Sequence, residues 1–69
     1  MKVIINAHEI DIFKGARVEN AVRKFDKKLL KELQNGTAEA FDKFGNRISV
    51  SSPLRENSQI TIIQIPKQQ

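Results

Sequence analysis

Residues 17–33 read RVENAVRKFDKKLLKEL, and they form the longest periodic stretch of the chain. The apolar side chains recur at intervals of three and four residues, which places them along one stripe of an α-helix. This stripe consists of Val18, Ala21, Val22, Phe25, Leu29 and Leu33. The other side of the helix is mostly basic. We therefore expect one face of the helix to lie against a core and the other to face solvent.

Five short strands are predicted around this helix, two before it and three after it. They cover residues 2–5, 8–13, 37–41, 47–50 and 59–65. A tight turn is expected at Asn6, because asparagine tolerates positive φ. Gly36 should end the helix, since glycine readily takes the left-handed cap conformation. Pro66 should end the last strand. The predicted order of elements is ββαβββ.

A helix of this length between strand hairpins must lie across one face of a sheet, which predicts a two-layer α+β domain. If the first and last strands are neighbours, they run parallel and the sheet is mixed. The strand side chains expected to face the helix are Val3, Ile5, Ile10, Ile12, Phe41, Ile48, Val50, Ile60 and Ile62. We expect a single domain over residues 1–66 and a short flexible C-terminal tail over residues 67–69.

Composition narrows the class of protein. The chain has 69 residues, no cysteine and a formal net charge of +4. The absence of cysteine removes disulfides and thiolate ligands and suits a reducing compartment. The longest apolar run has three residues, far short of the roughly 18 to 20 that cross a bilayer. No apolar signal-peptide core follows the first methionine. We therefore expect a cytoplasmic protein with no membrane contact.

Catalytic chemistry is not predicted. His8 is the one imidazole of the chain, and it lies in or beside a hairpin. The serines, which a catalytic triad would need as nucleophiles, have no evident base. Glu9 and Asp11 share a strand face, but a calcium site takes six or more oxygens. No glycine-rich loop is present to hold a phosphate. We expect no enzymatic activity, no cofactor and no metal site.

Half of the twelve basic residues fall in the helical stretch. They are Arg17, Arg23, Lys24, Lys27, Lys28 and Lys31. This concentration suggests a surface for an anionic partner such as nucleic acid. An ordinary solvated face is the simpler interpretation, because Glu19, Asp26 and Glu32 lie on the same helix and the chain has no Trp or Tyr for base stacking.

The outer face of the sheet is the second candidate surface. If Val3 and Ile62 point inward, the alternation of strand side chains turns their neighbours outward. The expected outward residues are Ile4, Phe13, Ile63 and Ile65. Contiguous exposed apolar side chains often mark protein interfaces, so we expect this face to bind a protein.

The arrangement of elements resembles the ubiquitin-like β-grasp superfamily, and within it the small sulfur-carrier proteins of thiamine and molybdopterin biosynthesis. The residues that carry the resemblance are KGA at 14–16, DKFGN at 42–46 and PLRENSQI at 53–60, followed by the isoleucine-rich strand. The resemblance implies a β-grasp fold. It also implies docking of an E1-like activating enzyme or an acceptor enzyme on the outer sheet face.

The chain departs from that family at its end. Sulfur carriers end in Gly-Gly, whose carboxylate is adenylated and converted to a thiocarboxylate, whereas Gln68 and Gln69 stand here. Side chains at these positions should obstruct a narrow active-site channel that glycine would enter. The favoured interpretation is a non-enzymatic protein-binding module, monomeric or weakly self-associating. The alternatives are a small basic nucleic-acid-binding domain and, second, a sulfur carrier.

Overall fold

The computed structural model describes residues 1–66 and consists of five strands and two helices. The strands are β1 (Lys2–Ile5), β2 (His8–Asp11), β3 (Ala38–Phe41), β4 (Arg47–Ile48) and β5 (Ser58–Gln64), and the helices are α1 (Val18–Phe25) and α2 (Lys27–Asn35). The predicted tail at 67–69 lies outside the described residues. No helix within residues 1–66 has the length and apolar character that a membrane span requires.

The strands form one mixed sheet in the order β2-β1-β5-β3-β4. β1 and β5 run parallel, with Ile5 opposite Ile60, and the other neighbouring strands are antiparallel. α1 contacts β1 and β2, and α2 contacts β3, so the helices cover one face of the sheet. The α+β class and the side-by-side placement of the first and last strands are thereby confirmed.

The core lies between the helices and the sheet. From the sheet it takes the buried side chains Val3, Ile5, Ile10, Ala38, Ala40, Ile60 and Ile62, and from the helices Val18, Ala21, Val22, Leu29 and Leu30. Leu54, from the loop before β5, is buried as well. Ile12, Ile48 and Val50 were predicted to face the helix, and they pack against the edge of the core while remaining partly exposed.

The single predicted helix is wrong, because the chain is interrupted at Asp26. Its backbone is extended, with φ −164° and ψ 108°, and it ends α1 and begins α2. The Asp26 carboxylate accepts a hydrogen bond from the Lys28 amide at 3.0 Å, which is the cap geometry that aspartate favours. The break rotates the second segment, so that Leu30 is buried beside Leu29 while Phe25 and Leu33 are only partly buried.

The predicted inward orientation of Phe41 is also wrong. Ala38 and Ala40 face the helices and are buried, which places Glu39 and Phe41 on the opposite face of β3. α2 packs directly over this strand. Small side chains permit that close approach, and an inward phenylalanine would hold the helix away.

Two strands end earlier than predicted, one before a turn and the other before a segment that crosses to α1. β2 ends at Asp11, and a turn follows in which the Ala16 amide donates to the Phe13 carbonyl at 3.2 Å. β4 ends at Ile48, and the chain then crosses to the start of α1. There the carbonyls of Ser52 and Val50 accept from Val18 and Glu19 at 3.0 and 2.8 Å. These carbonyls satisfy amides at the start of the helix, which explains how α1 begins without a Ser, Thr, Asp or Asn cap.

Candidate interaction surfaces

The outer sheet face exposes apolar side chains, but its register separates those that the sequence grouped together. Ile4 lies opposite Gln59 on β5 and opposite Glu9 on β2, and it is half-buried. Ile63 lies four residues beyond Gln59, which is about 13 Å along the strand. The prediction that Ile4 and Ile63 form one contiguous patch is therefore wrong.

Phe13 lies farther still from Ile63. It follows β2, whose last residue Asp11 pairs with Lys2 at the beginning of β1. Ile63 lies beyond the other end of β1, because Ile5 pairs with Ile60. Phe13 is 59% exposed, but it does not share a surface with β5.

Ile63 instead has neighbours on β3. It lies opposite Glu39, and Phe41 lies opposite Thr61, so Phe41 and Ile63 are diagonal neighbours on the outer face. Phe41, Thr61 and Ile63 line one shallow groove. Ile65 continues the outward alternation, and its amide donates to the Thr37 carbonyl at 2.8 Å.

We call Phe41, Ile63 and Ile65 the β5 ridge. Ile63 is 53% exposed and Ile65 40% exposed, whereas Phe41 is half-buried. Polar groups border the ridge, including the ion pair between Arg47 and Glu39 at 3.4 Å. An apolar centre within a polar rim is the usual anatomy of a protein interface.

Two of the six predicted basic residues make side-chain hydrogen bonds to the backbone of other elements. The Arg17 guanidinium donates to the Ser51 carbonyl at 2.7 Å, which ties the start of α1 to the loop after β4. The Lys24 ammonium donates to the carbonyl of Asp11 at the end of β2. The other four, Arg23, Lys27, Lys28 and Lys31, are exposed.

These four side chains, which we call the basic arc, lie on the side of α1 and α2 that faces away from the sheet. Two ion pairs occur within residues 1–66, Lys2 with Glu9 and Arg47 with Glu39, and neither includes a residue of the arc. Four of the six predicted basic residues are therefore exposed on the helical layer, and three of them lie within the first five residues of α2.

His8 and the serines have structural contacts. The His8 ring packs against Phe25 with ring centroids 5.4 Å apart, and its Nδ1 lies 3.1 Å from the Asn6 carbonyl oxygen. The Ser49 hydroxyl lies 3.1 Å from that of Ser51 and 3.3 Å from that of Ser52. Within residues 1–66, no hydrogen bond joins a serine hydroxyl to His8, and no group of three His, Cys, Asp or Glu side chains is placed to hold a metal.

The sequence predicted two of the three residues of the β5 ridge. Ile63 and Ile65 were identified from the alternation of β5, but Phe41 was assigned to the core because large aromatic side chains are usually buried. The alternation of Ala38 and Ala40 with Glu39 and Phe41 was the sequence signal that Phe41 faces outward, because the two small alanines can lie under a helix.

Comparison with known proteins finds no relative: no protein-family model matches the chain, and no curated protein is significantly similar to it.

Proposed function

We propose that this chain is a non-enzymatic β-grasp domain that binds a protein partner through the β5 ridge. The observation that carries the proposal is the exposure of Ile63 and Ile65 on the sheet face that the helices leave uncovered. Apolar side chains on a solvent-facing strand add nothing to the core of a domain this small, whereas they supply the anchor that an interface needs.

The β-grasp assignment rests on the sheet order and on the resemblance. The first and last strands are parallel neighbours, the β1–β2 and β3–β4 hairpins lie on either side of β5, and the helical segment lies in the crossover. This arrangement supports kinship with the sulfur carriers, which use the outer sheet face for docking. The proposal concerns that docking face and does not depend on chemistry at the C-terminus.

The size of the ridge favours a transient partner over a permanent dimer. A stable interface buries about 800 Å² on each partner. The described residues expose 4996 Å² in all, and three side chains supply only a small part of the area needed. The ridge therefore acts as the anchor of a larger, mostly polar contact, which suits an enzyme that binds and releases this domain.

The test is a titration of isotopically labelled domain with an E1-like adenylating enzyme from the same cell, followed by amide NMR shifts. We expect shifts concentrated at Phe41, Thr61 and Ile63, and at least a tenfold loss of affinity in Ile63→Lys. Ile4→Lys is the matched control, because it adds the same charge to the same face outside the ridge. Equal losses in both variants, or shifts confined to the helices, would contradict the proposal.

A further inference from the structure

The exposed residues within α1 and α2 carry positive charge and no negative charge, and the one exposed carboxylate beside them is that of Asp26, between the helices. The exposed residues of α1 and α2 are Arg23, Lys24, Lys27, Lys28, Lys31, Gln34 and Asn35. All are basic or uncharged amides, and none is apolar. This composition differs from an ordinary helix surface, where acidic and basic side chains alternate and partly neutralise each other.

Two of the three acidic residues of this region make hydrogen bonds, and the third lies at the far end of α1. Asp26, between the helices, accepts a hydrogen bond from the Lys28 amide. Both carboxylate oxygens of Glu32 accept from the side-chain Nε2 of Gln64 on β5, at 2.5 and 3.0 Å, so Glu32 reaches toward the sheet. Glu19 lies in the first turn of α1, at the far end from α2. The four cations of the basic arc therefore outnumber the one exposed carboxylate beside them, that of Asp26.

The placement of these lysines opposes helix stability. The break at Asp26 puts Lys27 and Lys28 in the first turn of α2, where the only carboxylate is that of the capping residue Asp26. Positive charge there is unfavourable because the helix dipole is positive at its N-terminus. Lys27 and Lys31 are also spaced i, i+4, which places like charges on neighbouring turns. An ordinary solvated face gains nothing from this arrangement.

We infer that the basic arc binds the phosphate backbone of a double-stranded nucleic acid without reading its sequence. A protein partner needs apolar anchors, and the exposed side of the helices has none. Single-strand binders stack bases on aromatic side chains, and the exposed side of the helices has none of these either. The remaining driving force is the release of counterions condensed on a duplex, which four exposed cations on neighbouring helices can supply.

The experiment measures binding of a labelled 20-base-pair duplex by fluorescence anisotropy between 50 and 200 mM KCl. Four phosphate contacts predict a slope of about −3.6 in log affinity against log salt, so that the fourfold rise in salt weakens binding about 150-fold. Lys27→Gln combined with Lys31→Gln should halve the slope to about −1.8. Lys14→Gln combined with Lys43→Gln is the control, because it removes the same net charge from exposed lysines outside the helices.

The outcomes separate this inference from its competitors. Retention of the wild-type slope in the control, and in Ile63→Lys, supports a localised site that is independent of the protein-binding ridge. Equal loss in both double variants means that net charge alone attracts the duplex, which overturns the inference. Absence of binding at 50 mM salt overturns it as well, as does tighter binding of single strands or of polyglutamate than of the duplex. Circular dichroism melts confirm that the variants are folded.

Discussion

At the scale of single residues, the turn after β1 shows which backbone conformations and hydrogen bonds can be predicted from a sequence. Asn6 and Ala7 both have positive φ, 48° and 71°. The preference of asparagine for this conformation allowed the turn to be predicted. Nothing marked Ala7, because alanine rarely adopts positive φ. Nor did the sequence indicate that the Asn6 side chain would accept a hydrogen bond from the Ile62 amide at 2.8 Å. Long-range partners of this kind depend on the sheet order.

Ala7→Gly should stabilise the domain. The left-handed conformation costs an L-residue about 1–2 kcal/mol, and glycine removes that cost. The greater freedom of glycine in the unfolded chain lowers stability by about 0.4–1 kcal/mol, so we expect a net increase in the free energy of unfolding of about 0.5–1 kcal/mol. Thermal melts should show a rise in Tm of several degrees. Ala16→Gly is the control: Ala16 is buried and is not among the positive-φ residues, so glycine there should lower Tm.

Asn6→Ala should destabilise the domain by about 1–3 kcal/mol, because it leaves the part-buried Ile62 amide without an acceptor. Asn6→Asp keeps a carboxylate oxygen in place of the amide oxygen and should retain most of the stability. Denaturant melts compare the two variants. Equal free energies of unfolding would mean that the link between the turn and β5 contributes nothing.

At the scale of elements, the helical stretch shows the limit of periodicity. The spacing of apolar residues across 17–33 fits one continuous helix, in which Asp26 is one of the charged residues of the polar side. The structure uses Asp26 as a cap, because aspartate disfavours helix interiors and favours their starts. The break also changes the position of a charge, because Lys28 lies in the first turn of α2 and not in the later part of one long helix.

Lys27→Glu should stabilise α2 by about 0.5–1 kcal/mol, because it places a negative charge at the helix start and a favourable i, i+4 pair with Lys31. Lys27→Gln, which only removes the charge, should fall between the parent and Lys27→Glu in Tm. The glutamate variant should also lose duplex binding. A lower Tm in Lys27→Glu would show that the lysine stabilises the helix, and the argument that the basic arc opposes stability would fail.

At the scale of the whole molecule, the sequence predicted which segments pair but not their register. Apolar alternation placed Val3, Ile5, Ile60 and Ile62 in the core, and all four are buried. Alternation assigns a residue to a face, yet it does not say how far one strand is displaced along the next. For that reason the two faces were largely predictable, whereas the neighbours of Ile63 were not.

Ala40→Leu should destabilise the domain by about 1–3 kcal/mol, because the added atoms must fit between β3 and α2 in a packed core. Ala40 is 2% exposed. Ile62→Ala, at a core position that the sequence identified correctly, should cost about 2–5 kcal/mol by leaving a cavity. Phe41→Ala should cost less than Ile62→Ala, since Phe41 lies on the outer face. Chemical denaturation of the three variants checks this order, and a reversed order of Phe41 and Ile62 would contradict the assigned faces.

The crossing of residues 50–54 over the start of α1 has a consequence for motion. The amides of Val18 and Glu19 donate to this crossing segment, and the Leu54 amide donates back to the Ala16 carbonyl. Neither side can open to solvent without releasing the other. Hydrogen–deuterium exchange should therefore find these three amides losing protection together, as one cooperative opening unit, although more than thirty positions separate Leu54 from Val18 and Glu19.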